Sequence, residues 1–430
     1  MANPVKPVAI LQTLGSRLRI LLLHNYYLHA GGEDMVFADD ANMLEENGHT
    51  VFRHTVHNDV VHGMSSLTVA GKTLWNAESY QTIYQLVRRD NIDIVHAHNT
   101  FPLLSPAVYS AARRAGAAVV QTLHNYRFAC ANALLYRNDA PCEKCVGKLV
   151  PWPAVVHSCY RDSRAGSAVL TGMLATHRVL GTYQESVDAY ICLTEFAREI
   201  FIRAGLPRQK LFIRGNMVHP DPGAAAPLST AELPAAPAVF VGRLGPEKGL
   251  PTLLEAWDIL ARSSNPMPLK IIGDGPLIDL VRAAAAKNPA VQYLGRQNSE
   301  QVYAHLAAAA VLAFPSVVYE GLPKTILEAF AKGTPVVASA RGSAQSLVTP
   351  GQTGLHFKPQ DAADLAAKIS WCRQHPHELA AMRPRARQEY LNNFTMPTSY
   401  ARLMEIYAHA RGRNPMKRDR VVRRQSQPNA

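Results

Sequence analysis

Val311-Leu312-Ala313-Phe314-Pro315 leads, four residues on, into Glu320-Gly321-Leu322-Pro323-Lys324-Thr325-Ile326-Leu327-Glu328, and this stretch decides the fold. Its first part reads as a buried strand. Its second part carries the helical spacing Ile326, Leu327, Ala329, Phe330 and Ala331, closed by Gly333. A strand that feeds a helix through a glycine turn presents free N–H groups and a positive dipole end, which suits phosphate. Eight helical residues between Glu320 and Glu328 would span about 12 Å at roughly 1.5 Å per residue. That is too far for the acid and nucleophile of a retaining glycosidase, which sit about 5 Å apart. The separation suits one long ligand held at both ends. The bland alternative is a capping Glu followed by a surface Glu.

The same strand-then-helix alternation extends outward in both directions. Downstream of residue 237, strands are expected at 238–241, 269–272, 291–294, 311–314 and 335–338, with helices at about 250–261, 277–286 and 299–309. Upstream, strands are expected at 19–24, 50–55, 92–97, 117–123 and 189–193, with helical patterns between most of them. Such alternation predicts parallel sheets covered on both faces. Between the halves lie Pro220-Asp221-Pro222-Gly223 and Pro234-Ala235-Ala236-Pro237, which read as a linker. The expectation is an α/β protein of two doubly wound domains with a ligand cleft between them.

Size and composition agree. The chain has 430 residues, 47% hydrophobic and 18% charged, enough for two or three domains with ample cores. No apolar run is long enough to span a bilayer, and the first fifteen residues lack a secretory cleavage pattern, so a cytoplasmic location is expected. The net charge is +12, of which the tail between Arg411 and Arg424 carries about half, with seven basic residues against Asp419. That tail reads as solvated chain or as a contact for an anionic membrane surface, where each basic residue adds about 1 kcal/mol. No aromatic interleaving or binding motif accompanies it, so nucleic acid is not expected as a partner.

Further turns carry chemistry. Gly242-Arg243-Leu244-Gly245-Pro246-Glu247-Lys248-Gly249 follows a strand and opens a helix, placing Arg243 and Lys248 where a diphosphate at the strand ends would lie. Gly273-Asp274-Gly275-Pro276 is a second such turn, whose glycines would let a ligand approach the backbone. Early in the chain, Gly31-Gly32-Glu33 follows the first strand and leads a helix. None of these is a dinucleotide fingerprint or a P-loop, which counts against a dehydrogenase or a P-loop nucleotidase. His124 ends a strand, where it would orient or donate to a reacting group or serve as a structural histidine. His96 and His98 end another, but no carboxylate sits at metal-ligand spacing beside them, so a metal site is not expected there.

Taken together, Glu320 and Glu328 in an E-x7-E pattern, Gly242-Arg243 with Glu247-Lys248-Gly249, Gly273-Asp274-Gly275-Pro276 and Gly31-Gly32-Glu33 make the chain resemble the family-4 glycosyltransferases of the GT-B fold, from about residue 19 to about 411. The resemblance implies two Rossmann-like domains facing each other across a cleft. It implies an N-terminal extension at 1–17, an acceptor-side domain at 18–218 and a linker at 219–237. A nucleotide-sugar domain would follow at 238–395, then a helix at 396–411 returning to the first domain and a basic tail at 412–430. It implies transfer of a hexosyl-type sugar from a nucleotide diphosphate sugar to a glycan or lipid-linked acceptor, with retention of configuration and no metal needed for catalysis. Arg243 and Lys248 would hold the diphosphate and stabilise the leaving group. Glu320 would bind hydroxyls of the donor sugar and Glu328 those of the ribose. Gly321, Leu322, Lys324 and Thr325 would line the sugar and phosphates with backbone amides, beside Gly273 and Gly275. His124 would contact the donor sugar, and Gly31 and Gly32 would sit near the donor phosphate and acceptor. A non-catalytic sugar-nucleotide-binding protein and a nucleotide-sugar epimerase are the competing readings.

The segment 127–164 has little periodicity and reads as an insertion. It holds Cys130, Cys142, Cys145 and Cys159, with Cys142 and Cys145 in a C-x-x-C turn. Disulfides are disfavoured in a cytoplasmic protein. The four thiols therefore form either a structural zinc site or an unligated group.

Overall fold

The computed structural model describes residues 17–28, 31–262 and 266–413. The extension 1–17 and the basic tail therefore fall almost wholly outside the described residues. The described residues form two compact units, one within 17–133, 143–215 and 397–413, the other within 134–142 and 216–396.

In the first unit the strands are β1 (Arg19–Tyr26), β2 (Thr50–His57), β3 (Ile94–Ala97) and β4 (Ala118–Leu123). The insertion then contributes a two-residue hairpin, β5 (Tyr136–Arg137) and β6 (Ala140–Pro141), which belongs to the second unit. β7 (Ala189–Cys192) and β8 (Leu211–Ile213) complete a six-stranded parallel sheet in the order β2-β1-β3-β4-β7-β8. β3, β4 and β7 are buried along their whole length, and Ile20 to Leu23 of β1 are fully buried. This is the reason the sequence shows apolar runs here instead of a two-residue alternation.

The second unit repeats the plan with β9 (Ala238–Val241), β10 (Leu269–Ile272), β11 (Val291–Gly295), β12 (Val311–Phe314), β13 (Val336–Ser339) and β14 (Gly354–Phe357), in the order β11-β10-β9-β12-β13-β14. Its core gathers Trp257, Phe240, Leu250, Leu253 and Ile271, and the Trp257 indole donates to the Met267 carbonyl at 2.8 Å. In each sheet the chain builds one side, then jumps back across its first strand. The jump lies between β1 and β3 in the first sheet and between β9 and β12 in the second. Strand order reverses there, which leaves a crevice at the strands' C-terminal ends.

One segment differs from the sequence expectation, and one follows it. The Pro/Ala-rich segment 219–237 is not a bare linker. Leu233 is fully buried in the second core, Arg387 binds Asp221 with two bonds of 2.8 and 2.6 Å, and Lys332 Nζ donates to the Pro222 carbonyl at 3.0 Å. Its prolines and alanines offer apolar surface, and Asp221 supplies the anchor. The helix Met396–Arg413 packs within the first unit: Arg214 Nε donates to Ser399 Oγ at 2.9 Å, His49 meets the Tyr400 hydroxyl at 2.9 Å and His96 Nδ1 meets the Tyr407 hydroxyl at 2.8 Å. Among the described residues, no helix is long and apolar enough to cross a membrane.

Candidate functional site

The second unit brings its motifs together because β9 and β12 are paired, Ala238 with Val311 and Val239 with Leu312. The turns that follow these two strands are therefore neighbours. Lys248, after β9, meets Glu320, after β12, at 2.7 Å from Nζ to Oε1. The Ser316 hydroxyl lies 2.7 Å from the same oxygen, and the Val317 N–H donates to the Glu247 carbonyl at 3.0 Å. Ser343 Oγ donates to the Glu320 and Gly321 carbonyls at 2.7 and 2.9 Å, which fixes the backbone that carries the carboxylate. Lys248 and Glu320 are each partly shielded, whereas the Arg243 side chain is 68% exposed and 3.9 Å from Glu247. Lys248 and Glu320 thus hold one another in place at the switch point, with the exposed Arg243 nearby.

The glycines of these turns have a more specific role than the sequence suggested. Gly273 sits at φ +145°, and a Cβ there would lie 1.8 Å from the Gly242 carbonyl oxygen; at Gly275 it would lie 2.7 Å from that of Leu244. These positions need glycine so that the two turns can pack on one another. At Gly31 and Gly32, by contrast, nothing lies within 4 Å of an added Cβ.

Glu328 lies on the helix Lys324–Lys332. Helix therefore occupies only the second half of the Glu320–Glu328 spacing, and the 12 Å axial rise expected from eight helical residues does not apply. Pro323, extended and without an N–H, ends the turn and starts the helix. The first N–H groups of a helix have no intrahelical acceptor, so Lys324 and Thr325 stand where an anion is favoured. Burial pushes the Glu328 carboxyl up to about 7, with Lys324 opposing the shift.

The first unit assembles a different chemistry at the ends of β1, β3 and β4. His98 Nδ1 and His124 Nε2 are 3.0 Å apart. His98 Nε2 faces Asp40 Oδ2 at 3.6 Å, and Arg214 holds Asp40 with two guanidinium bonds, one of them 2.8 Å. Asp40 comes from the helix Gly32–Glu46, so no local spacing in the sequence pointed to it. Its oxygen, His96 and His98 place ligand atoms within 4.8 Å of one another, a grouping that the sequence reading did not anticipate. The surroundings do not favour a metal. His96 spends both ring nitrogens on the Tyr407 and Thr122 hydroxyls, at 2.8 and 2.7 Å, and the Arg214 guanidinium already neutralises Asp40. Burial lowers His124 to about 3 and His96 to about 4, so both are neutral at pH 7. A neutral His124 offers hydrogen bonding but no charge.

Glu33 lies beside this group. Asn99 and Asn125 each place an amide nitrogen 3.3 Å from its carboxylate. Burial and then the neighbouring Asp34 charge raise it to about 7, against the pull of Arg127, Tyr27 and Asn125. Among the insertion's cysteines, Cys130 Sγ lies 2.9 Å from Asn132 Oδ1 and Cys145 Sγ 3.7 Å from the Pro151 carbonyl; Cys130, Cys145 and Cys159 belong to the first unit and Cys142 to the second. None of the six cysteines is in a disulfide.

Comparison with known proteins places this arrangement. The model described as Glycosyltransferase Family 4 matches residues 20–221, and that described as Glycosyl transferases group 1 matches 235–389. The chain belongs to the family-4 glycosyltransferases, with the GT-B fold. It is 34% identical over 191 residues to a glycogen synthase of Mycobacterium tuberculosis, covering 43% of this chain and 45% of that one. It is 31% identical over 182 residues to a GDP-mannose-dependent phosphatidylinositol monomannoside mannosyltransferase of Mycolicibacterium smegmatis, covering 40% and 48%. The chain spans about half the length of the curated relatives it matches. Its backbone is similar to a glycosyltransferase crystal structure from Rickettsia africae, with a TM-score of 0.66 at 18% identity over 92% of this chain and 98% of that one. It is also similar to Anabaena HepE solved with UDP, with a TM-score of 0.64 at 18% identity over 91% and 100%.

Proposed function

We propose that the protein transfers a hexosyl unit from a nucleotide diphosphate sugar to a glycan or lipid-linked acceptor, with retention of configuration. The observation that carries this reading is the Lys248–Glu320 pair beside Arg243 at the β9/β12 switch point. Breaking the bond between sugar C1 and the phosphate oxygen leaves a diphosphate with added negative charge, and Arg243 and Lys248 meet that charge where it develops. Glu320 accepts from hydroxyls of the sugar, and Glu328 from those of the ribose. The acceptor oxygen bonds to C1 on the face the phosphate leaves, and its proton passes to the departing phosphate oxygen. The curated relative named as GDP-mannose-dependent and the neighbour solved with UDP support a nucleotide-linked donor.

Exposed Leu149, Val150 and Trp152, with Lys148 stacked 5.7 Å above the Trp152 ring, support a peripheral encounter with anionic membrane. A panel of nucleotide sugars is first screened for protection against thermal unfolding. The best donor, radiolabelled in its sugar, is then offered with free glycans and with lipid-linked acceptors in anionic vesicles. Label in an acceptor is the expected result. Binding without turnover would favour the non-catalytic alternative, and an isomerised sugar nucleotide the epimerase. A structural zinc at Cys130, Cys142, Cys145 and Cys159 rests on the sequence alone, on the C-x-x-C turn and its two flanking cysteines, for among the described residues the ligand atoms close enough together to hold an ion are those of Asp40, His96 and His98. It predicts one zinc per chain in the purified protein and its loss in Cys142→Ser; a metal-free wild type would dismiss it.

A further inference from the structure

Buried Asp40 and His98 and half-buried His124 form a line from the helix Gly32–Glu46 to the end of β4, with Arg214 behind it. We propose that Asp40 and His98 are positioning residues that lock His124 in the tautomer protonated at Nε2, leaving its Nδ1 as a fixed hydrogen-bond acceptor for a substrate hydroxyl.

The argument runs from the fixed charge outward. Arg214 holds Asp40 with two bonds, and Asp40 is 1% exposed, so its carboxylate has no solvent alternative. His98 Nε2 faces Asp40 Oδ2 at 3.6 Å and has no hydrogen-bond partner among the described residues. That distance is too long for a hydrogen bond, but Oδ2 still turns its lone pairs toward His98 Nε2, and at this burial their electrostatic effect is little screened even with Arg214 bound to the carboxylate. A bare nitrogen lone pair facing a carboxylate is repelled; an N–H is attracted. The His98 proton therefore belongs on Nε2. Its Nδ1 is then an acceptor, and the contact of 3.0 Å to His124 Nε2 requires that His124 donate. One proton remains for the neutral His124 ring, and this contact places it on Nε2. His124 Nδ1 is left with its lone pair. Neighbouring groups do not contest the assignment. His96 is turned to Tyr407 and Thr122, and His24 binds Asp34 through its own Nε2 at 2.6 Å. Burial keeps His98 and His124 uncharged at pH 7, so the protons have one arrangement and not several.

The consequence follows from hydrogen-bond direction. A hydroxyl on the substrate meets an acceptor at His124 and must donate to it; a substrate lacking that hydroxyl leaves a polar atom without a partner. The kinetic part of the inference rests on the assignment of His124 to the donor sugar, while the tautomer itself does not.

Nitrogen-15 NMR of the full-length protein, labelled at histidine, reads the tautomer directly, with His124→Gln used to assign the resonance. The expected spectrum shows His124 protonated at Nε2 and bare at Nδ1. In His98→Phe the ring should become a mixture of both tautomers, and kcat should fall about tenfold with the donor KM little changed. His98→Asn, whose side-chain oxygen can stand in for Nδ1, should restore the single tautomer and most of kcat. Should His98→Phe not fold, the wild-type spectrum and His98→Asn still decide the matter. Wild-type His124 protonated at Nδ1, or a tautomer unchanged in His98→Phe, would overturn the relay. The predicted tautomer with unchanged kcat in every variant would leave the relay standing and refute the role of His124 at the sugar.

Discussion

The two units share one sheet plan and put different chemistry at its switch point. In the second unit the groups are charged, partly open to solvent and mounted on turns: Lys248, Glu320 and Arg243. In the first unit they are buried, neutral imidazoles ordered by a single ion pair, Asp40 with Arg214. The first arrangement suits a ligand that brings its own charge, because exposed cations keep their charge and meet it at little desolvation cost. The second suits groups that must be aimed accurately but carry no charge, because burial fixes direction while suppressing ionisation.

Removing charges from the second unit should break this comparison most severely. Arg243→Ala and Lys248→Ala should each lower kcat/KM about 100- to 1000-fold, the magnitude seen when one donor to a developing anion is lost, and Glu320→Ala about 100-fold, because it removes charge-assisted hydrogen bonds to the sugar worth about 1.5–3 kcal/mol each. None of the three is a core residue, so thermal unfolding should shift by only a few degrees. His124→Ala should cost less, about tenfold to 100-fold, because it removes one neutral hydrogen bond. Near-normal turnover in all three charge variants would defeat the assignment. A larger loss at His124 than at Lys248 would invert the contrast between the units.

The contrast also explains what the sequence made legible. The second-unit site lies in local motifs: Glu247-Lys248-Gly249 follows β9 within a few residues, and Glu320 follows β12. Both the strands and the chemical groups can be found by reading along the chain, and β9, β10 and β12 fall where the apolar runs place them. β8 and β14 escaped because each is a short edge strand, and Gly354-Leu355-His356-Phe357 lacks the continuous aliphatic run of its neighbours. In the first unit His124 was legible at a strand end, but Asp40 looked like an ordinary helix residue and Arg214 like a loop cation. Their meeting is made by tertiary packing across a separation of 174 residues. The glycines of Gly273-Asp274-Gly275 were found, but their packing requirement was not, since only the folded chain shows the Gly242 and Leu244 carbonyls against them.

The smallest expected effect tests whether Glu328 behaves as a charged or a buried group, since it shares features of both units. Its carboxyl titrates at about 7 because of burial, well above the usual carboxylate range. The ionised form accepts more strongly from two ribose hydroxyls, because both oxygens then carry negative charge and neither carries a proton. Donor affinity should therefore strengthen about tenfold between pH 6 and pH 8, as the ionised fraction of a group with this pKa rises by about that factor. Stability should move the other way. A carboxyl raised above its unfolded value favours the fold most below that unfolded value, and the contribution is lost as pH rises through about 7. Glu328→Gln should accordingly bind the donor more weakly at pH 8, lose most of the pH slope and gain on the order of 1–2 kcal/mol of stability at that pH. Titration of the best-protecting nucleotide sugar by calorimetry at both pH values measures the first effect, and denaturant unfolding the second. Glu33 also titrates near 7, so Glu33→Gln serves as the control. A pH slope that survives Glu328→Gln but disappears in Glu33→Gln would move the titrating group to the first unit, and would mean that charge as well as direction is supplied from that side.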